Sequence, residues 1–80
     1  MEQKFRFIKF NSEEEAIVRE KKLTFDANFN DGFTIKYANI IKKFDENIWL
    51  IPVLTEFEYL FTLEELDNLI ELSESEIYGI

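Results

Sequence analysis

The sequence predicts a small α+β fold, with a mainly antiparallel sheet of about four strands and two helices on one face. Three observations lead to this prediction. Several segments alternate apolar and polar residues with the period of two that a half-buried strand shows. Ser-x-x-Glu and Thr-x-x-Glu motifs mark places where helices begin. The 80 residues are enough for one domain, residues 1–80, and the expected element order is β-α-β-β-β-α.

The first two elements are a strand and a short helix. Aromatic residues are concentrated in residues 3–10, which favours a strand there. Ser12 and Glu15 have the spacing of a capping box, in which each side chain bonds the main-chain N–H of the other residue. We therefore expect a helix over about residues 13–21, with Ala16, Ile17 and also Val18 pointing inward.

A β-hairpin is expected next. Residues 23–29 and 33–37 each alternate apolar with polar side chains, and Asn30-Asp31-Gly32 joins the two runs. Glycine adopts the positive φ that a tight hairpin turn requires, so this tripeptide fits the turn. The second strand of the hairpin is expected to continue towards Ile41.

A further strand is expected over residues 48–53, after a turn at residues 44–47. Pro52 has no N–H to donate within a sheet, which places it on an edge or at the end of a strand. Residues 55–61 are expected to form a short turn or strand, and the chain is expected to break at Phe61–Thr62.

The C-terminal region predicts a helix over residues 63–72. Thr62 and Glu65 have the capping-box spacing, and the same motif occurs at residues 55–58. A single helix through both motifs is not expected, because the apolar residues on either side of Thr62 would fall on opposite helix faces. Residues 73–80 are expected to be a loose tail or to add a short strand.

The absence of Cys and His limits the chemistry available to the chain. Without Cys there is no disulfide, thiol nucleophile or thiolate metal site, and this composition indicates a cytoplasmic protein. Without His, the usual general base near neutral pH and the commonest metal ligand are missing. No apolar run reaches the roughly 18 residues of a membrane span. We therefore expect a non-enzymatic protein with no cofactor, no metal and no membrane segment.

Charge is distributed unevenly along the chain. Residues 1–43 contain all nine basic side chains and seven acidic ones, a net charge of +2. Residues 44–80 contain ten acidic and no basic side chains, which brings the total to −8. A helix surface usually interleaves Lys with Glu, because like charges four residues apart destabilise the helix. Uncompensated acids therefore indicate either a basic partner or a role in solubility alone.

The candidate partner-binding residues follow from this charge and from one aromatic side chain. On a helix over residues 63–72, Glu64, Asp67 and Glu71 would lie mostly opposite the apolar stripe. Tyr59 would give the acidic surface an apolar centre of the kind that anchors interfaces. The predicted set is Glu56, Glu58, Tyr59, Glu64, Glu65, Asp67, Glu71, Glu74 and Glu76.

Such a surface predicts a small acidic protein that binds a protein with a basic surface. Carboxylates spaced several ångströms apart imitate nucleic-acid phosphates, so the acidic half would occupy the nucleic-acid site of an effector protein. Small acidic proteins that block restriction or CRISPR effectors, and acidic immunity proteins against nuclease toxins, are similar in composition. The resemblance implies an inhibitor of the anti-defence or immunity type, carried by a phage or mobile element. The alternative is a structural or oligomerising module that uses an apolar sheet surface, with the acids serving solubility only, and homo-oligomers are left open.

Three other activities are disfavoured by the sequence. Glu56 and Glu58 on an extended strand would lie about 6–7 Å apart, which suits acid–base chemistry, but so short a chain hardly supplies a substrate cleft. The oxygen-rich residues 26–31 lack the motif of a calcium-binding loop. Residues 4–9 resemble a basic, aromatic strand of an RNA-binding sheet, but a net charge of −8 opposes direct binding to nucleic acid.

Overall fold

Four antiparallel strands form a single sheet. They are β1 (Lys4–Phe10), β2 (Ile41–Lys42), β3 (Trp49–Pro52) and β4 (Ile70–Ser73). The computed structural model describes residues 3–31 and 36–80. The order across the sheet is β2-β3-β1-β4, so the N-terminal strand lies inside the sheet. The predicted α+β class with a four-stranded antiparallel sheet is confirmed.

The central strand β1 pairs with a different neighbouring strand along each half of its length. Its C-terminal half, Phe7–Phe10, pairs with β3, and its N-terminal half, Lys4–Phe7, pairs with β4. The Val53 N–H donates to the Arg6 carbonyl at 2.9 Å, just beyond β3. This bond shows that the main-chain groups of Arg6 point towards β3. The main-chain groups of every second residue of an antiparallel strand point to the same edge, so the bond also fixes the direction for the rest of β1.

Pro52 stands at the end of β3, one of the two positions predicted for it. Its carbonyl accepts a hydrogen bond from the Tyr37 hydroxyl at 2.8 Å, and the same hydroxyl accepts the Leu54 N–H at 3.2 Å. The two-residue β2 does not extend this far along β3. The hydroxyl of Tyr37 therefore supplies, at the outer edge of β3, the hydrogen bonds that a longer neighbouring strand would have made.

The helical elements cover both faces of the sheet, rather than the single face predicted, because β1 buries apolar side chains on both of its faces. They are α1 (Glu13–Asp31), a 3₁₀ helix (Thr55–Leu60), α2 (Leu63–Asp67) and α3 (Glu74–Tyr78). Phe7 and Ile8, neighbours on β1, belong to two different buried clusters, which must lie on opposite faces because successive side chains of a strand alternate. Leu23 of α1 and Leu66 of α2 join the cluster of Ile8. Ile77 of α3 joins the cluster of Phe7 on the other face.

Helix α1 begins where the sequence predicts but is much longer than expected. The Ser12 hydroxyl accepts the Glu15 N–H at 3.3 Å, so this half of the predicted capping box is present. The predicted strand over residues 23–29 is wrong, since these residues continue the helix. Leu23 and Ala27, which contributed to the strand-like alternation, are also four residues apart and so share a helix face. The buried residues of α1 follow that helical spacing: Ala16, Glu20, Leu23 and Ala27. The prediction that Ile17 and Val18 point inward is wrong, because they lie off this face and are 37% and 69% exposed.

The rest of the predicted hairpin is also not formed as expected. Asn30 and Asp31 of the predicted turn belong to α1, and Gly32 with residues 33–35 lies outside the described residues. Residues 36–40 are irregular, and only β2 follows them as a strand. Tyr37 links this segment back to α1 by donating its N–H to the Thr24 hydroxyl at 3.0 Å.

The region between β3 and α2 differs in detail from the prediction. Phe61 and Thr62 are both extended, with ψ values of 151° and 161°, so the predicted break between two elements is confirmed. Residues 55–60 form a 3₁₀ helix rather than a turn or strand, with non-helical geometry at Phe57. The N-cap of this helix is Leu54 and makes no side-chain capping bond, so the motif at residues 55–58 is not a capping box.

The C-terminal helix predicted over residues 63–72 is interrupted. It starts with the predicted capping box at Thr62 but ends at Asp67, and residues 70–73 are β4. Apolar residues at alternate positions of β4 pair with β1, and this tertiary pairing overrides the helical pattern. Residues 74–78, expected to be a tail or strand, form α3 behind a second capping box at Ser73.

Candidate functional site

The nine predicted partner-binding residues are distributed over four elements that follow β3. None of them lies on α1, β2 or β3. Their places are the 3₁₀ helix for Glu56, Glu58 and Tyr59, α2 for Glu64, Glu65 and Asp67, β4 for Glu71, and α3 for Glu74 and Glu76. Glu71 was expected on one helix face with Glu64 and Asp67, which is wrong because β4 carries it.

Glu65 faces the protein rather than solvent. Arg19 of α1 donates to both of its carboxylate oxygens, at 2.8 and 2.7 Å, and also to the Leu60 carbonyl at 3.2 Å. The guanidinium lies 5.5 Å from the ring centroid of Phe61. The side chains of Arg19 and Glu65 are only 17% and 24% exposed. The hydrogen bond from Arg19 is the main cause that lowers the pKa of Glu65, and the same bond raises the pKa of Arg19.

Glu58 forms a second ion pair with the N-terminal half of the chain. Arg6 of β1 donates to its carboxylate at 3.1 Å. Glu71 of β4 stands directly opposite Arg6 in the sheet register. Opposed residues of paired strands have Cβ atoms about 5 Å apart, so Arg6 lies between two of the predicted acids.

Glu76 serves the structure of α3. Its carboxylate accepts the Ser73 N–H at 2.9 Å, while the Ser73 hydroxyl accepts the Glu76 N–H at 3.3 Å. The Lys4 ammonium lies 3.7 Å from the same carboxylate. The Ser73 N–H is the main cause that lowers the pKa of Glu76.

The expectation that no base compensates the acids is therefore wrong for three of the eight predicted acidic residues. The bases come from the N-terminal half of the chain and are distant in sequence, so inspection of residues 44–80 alone could not reveal them. Within residues 3–31 and 36–80, the remaining predicted acids make no ion pair. These are Glu56, Glu64, Asp67, Glu71 and Glu74, and all five are exposed.

Tyr59, the predicted apolar centre of the surface, is 57% exposed. Its ring lies 6.5 Å from that of Phe57, and the Phe57 ring in turn packs at a steep angle against the ring of the buried Tyr37, with the ring centres 5.5 Å apart. The aromatic contacts therefore run from the buried Tyr37 through Phe57 to Tyr59 at the surface. Tyr59 follows Glu58 in the 3₁₀ helix.

A groove of about 650 Å³ lies between β1 and α2. Its apolar walls come from Ile8 and Phe10 of β1 and from Ile70, the first residue of β4. The polar lining residues are Lys9, Thr62, Glu64, Glu65 and Asn68. Two of the predicted acids thus border the groove, and Glu64 is the one without an ion pair among the described residues.

One apolar surface was not predicted. Val18, Phe25 and Phe29 on α1 are 69%, 67% and 82% exposed. They are separated by seven and four residues, so they lie on one face, opposite the buried side of the helix. This spacing is visible in the sequence, but it becomes an exposed helical stripe only once residues 23–31 are known to be helical.

Two arrangements considered from the sequence, a carboxylate pair on a strand and a cluster of oxygen ligands, can be compared with the described residues. Glu56 and Glu58 lie on a 3₁₀ helix, so the extended geometry that would have placed them as an acid–base pair is not adopted. In the described part of the chain, no three acidic side chains are grouped closely enough to hold a metal ion. No helix among these residues has the length and apolar character needed to cross a membrane.

The chain matches no protein family, no curated protein and no solved structure. Its function is therefore inferred from the exposed acids, the groove and the stripe on α1.

Proposed function

We propose that this protein is a non-enzymatic binding protein whose acidic surface occupies the basic nucleic-acid site of a target protein, as an inhibitor of the anti-defence or immunity type. The observation that carries the proposal is the selective pairing of the acids. Glu58, Glu65 and Glu76 connect elements of the fold, and each has a basic partner. The five exposed acids have no such partner in the described ranges.

Unpaired carboxylates on one molecule repel one another and oppose the compact state. The fold offsets part of this repulsion, because Glu71 stands opposite Arg6 and because Glu64 and Glu74 lie in the first turns of α2 and α3. Lys and Arg side chains of a partner would turn the remaining repulsion into attraction. Long-range attraction of this kind accelerates the encounter and weakens with added salt. A site that normally binds phosphates offers the cations at suitable spacing.

Two variants with equal changes in charge test the proposal. The acid triple variant is Glu64→Gln/Asp67→Asn/Glu71→Gln. The control triple variant is Glu13→Gln/Glu14→Gln/Glu46→Gln. All six positions are exposed. Wild type and both variants are immobilised, a cell extract of the source organism is passed over each, and retained proteins are eluted with DNA and then with salt.

The proposal expects a protein that wild type and the control triple variant retain, that DNA elutes, and that the acid triple variant fails to retain. Equal retention by all three proteins would refute the proposal, because the unpaired acids would then contribute nothing beyond net charge.

The exposed stripe on α1 favours a second candidate, a structural or oligomerising module in which the acids serve solubility only. Val18, Phe25 and Phe29 form an apolar surface of a kind that often marks an interface. Sedimentation velocity in low and high salt separates the two candidates. Association that persists in high salt and disappears in Phe25→Ser supports the module, whereas a monomer at all salt concentrations excludes self-association.

A further inference from the structure

One edge of β1 has no strand beside it. The pairing of β1 with β4 ends at Phe7 opposite Ile70, after which the chain preceding β4 turns away into α2. In the described ranges, no residue pairs with the β4-side edge of β1 from Ile8 to Phe10. The groove of about 650 Å³ lies at this place.

The register identifies which main-chain groups face the groove. Val53 donates to the Arg6 carbonyl, so the peptide groups of Arg6, Ile8 and Phe10 point towards β3. Those of Phe7 and Lys9 point to the opposite edge. Phe7 pairs there with β4, whereas the N–H and carbonyl of Lys9 open into the groove.

We infer that an extended segment of the basic partner adds a strand at Lys9, with Lys or Arg on both sides of the residue that pairs with it. This inference rests on the proposed function and names the contact through which it would operate. Strand addition supplies affinity through main-chain bonds, and alternate side-chain pockets supply specificity.

The side chains around the groove favour a partner strand in which Lys or Arg flanks an uncharged residue. The partner residue opposite Lys9 directs its side chain to the same face as Lys9, so an uncharged residue fits there. The residues before and after it direct their side chains to the face of Ile8 and Phe10. The aliphatic stem of Lys or Arg fits against these apolar side chains, and its charged end reaches towards Glu64 at the groove border.

A second copy of this chain is a less suitable occupant. Each copy carries a net charge of −8. The sheet has two edge strands in the part of the chain described: β2 is only two residues long, and β4 presents Glu71 and leads directly into Glu74. Inserting the β4 edge would bring Glu71 and Glu74 towards Glu64 at the groove border, whereas a basic strand brings opposite charge to Glu64.

The test uses short peptides and nuclear magnetic resonance of the isotope-labelled protein. The probe is acetyl-Gly-Thr-Arg-Val-Arg-Thr-Gly-amide, and two matched peptides replace both arginines with glutamate or methylate the valine nitrogen. We expect the probe to protect the Lys9 amide from hydrogen exchange and to shift the signals of residues 8–10 and 64–68. Methylation removes one main-chain bond and should weaken binding about fivefold, and the glutamate peptide should not bind measurably.

Two variants of the protein separate the main-chain contact from the charge. Lys9→Pro removes the N–H that faces the groove without removing a bond to β3, and Lys9→Thr removes only the side-chain charge. Lys9→Pro should weaken the probe about fivefold, whereas Lys9→Thr should bind it at least as well as wild type. Far-UV circular dichroism checks that Lys9→Pro is folded, and the methylated peptide tests the same bond on the wild-type protein.

Equal affinity for the methylated and unmethylated peptides would overturn the inference, as would probe binding that leaves the Lys9 amide unprotected. A dimer of wild type that Lys9→Pro dissociates would also overturn it, because a second copy would then be the occupant. The proposed function stands, and only the strand addition fails, if one of these results is found although the immobilised acid triple variant fails to retain the partner that wild type retains. If capture is equal for all three immobilised proteins, the proposed function itself fails.

Discussion

The ion pair between Arg19 and Glu65 is predicted to stabilise the fold more than an ordinary surface pair, and a double-mutant cycle measures by how much. Arg19 makes two short bonds to the carboxylate and one to the Leu60 carbonyl, with both side chains mostly shielded from water. Exposed pairs contribute about 0.2–1 kcal/mol, whereas hydrogen bonds to charged groups contribute about 1.5–3 kcal/mol. Because this site is partly solvated, we expect a coupling energy of about 1–2 kcal/mol.

The cycle compares wild type with Arg19→Ala, Glu65→Ala and the double variant by urea unfolding, followed through far-UV circular dichroism. Arg19→Ala should lower the free energy of unfolding by about 2–3 kcal/mol, because it also leaves the Leu60 carbonyl without its side-chain donor. The cycle is needed because Glu65 also accepts the Thr62 N–H at 2.9 Å, so Glu65→Ala removes a capping bond as well as the ion pair. A coupling energy below about 0.3 kcal/mol, the level of a weak surface pair, would refute the argument that this pair holds α2 to α1.

Three further outcomes are expected. The fold lowers the pKa of Glu65, so its charge contributes fully to the free energy of unfolding above the ordinary pKa near 4.5, and this contribution is lost as the pH falls. The difference in free energy of unfolding between wild type and Glu65→Gln, measured in urea, should therefore shrink below about pH 5. Tyr37→Phe leaves two main-chain groups at the edge of β3 without their partner and should lower the free energy of unfolding by about 1–2 kcal/mol, measured in urea. Gly79→Ala should destabilise by about 1 kcal/mol or more in a thermal melt, because Gly79 has φ +75° and an added Cβ would come within 2.7 Å of the Phe44 ring.

Each of these outcomes has a result that contradicts it. A constant difference between wild type and Glu65→Gln from pH 7 to about pH 3 would show that the carboxylate is not specifically stabilised by the fold. For Tyr37→Phe, stability equal to wild type would mean that water replaces the hydroxyl without loss. A melting temperature of Gly79→Ala equal to that of wild type would contradict the third expectation. Adding Gly79→Ala to Phe44→Ala and comparing the result with Phe44→Ala alone separates the positive φ from the contact with the ring.

The elements whose sequence signals lie within a few residues of one another could be predicted from the sequence. The aromatic run of β1 and the apolar run of β3 were found, and so were the capping box at Thr62 and the bond from the Glu15 N–H to the Ser12 hydroxyl. Where two periodicities overlap, the choice depends on tertiary contacts. Leu23 and Ala27 fit both a strand and a helix, and burial of both against the sheet accompanies the helix.

The C-terminal elements show the same competition with the opposite result. Ile70 continued the helical pattern of Leu66 but also began an alternation with Leu72, and pairing with β1 favoured the strand. The capping box of Ser73 and Glu76 was visible in the sequence and could have predicted α3.

The predicted binding surface depended on contacts that sequence spacing does not report. Arg19 and Glu65 are 46 residues apart, and Arg6 and Glu58 are 52 apart, so their pairing required the folded sheet. The net charge correctly located the excess of acids. It could not distinguish the carboxylates that hold the fold together from those left without a base.

The salt dependence of binding to the retained partner tests the central claim most directly. Titrations of wild type and of the acid triple variant with the purified partner give the dissociation constant at several salt concentrations. If Glu64, Asp67 and Glu71 meet cations of the partner, wild type should bind more weakly as salt rises, and the variant should bind at least tenfold more weakly in low salt with a flatter dependence. Superimposable curves for the two proteins would contradict the claim.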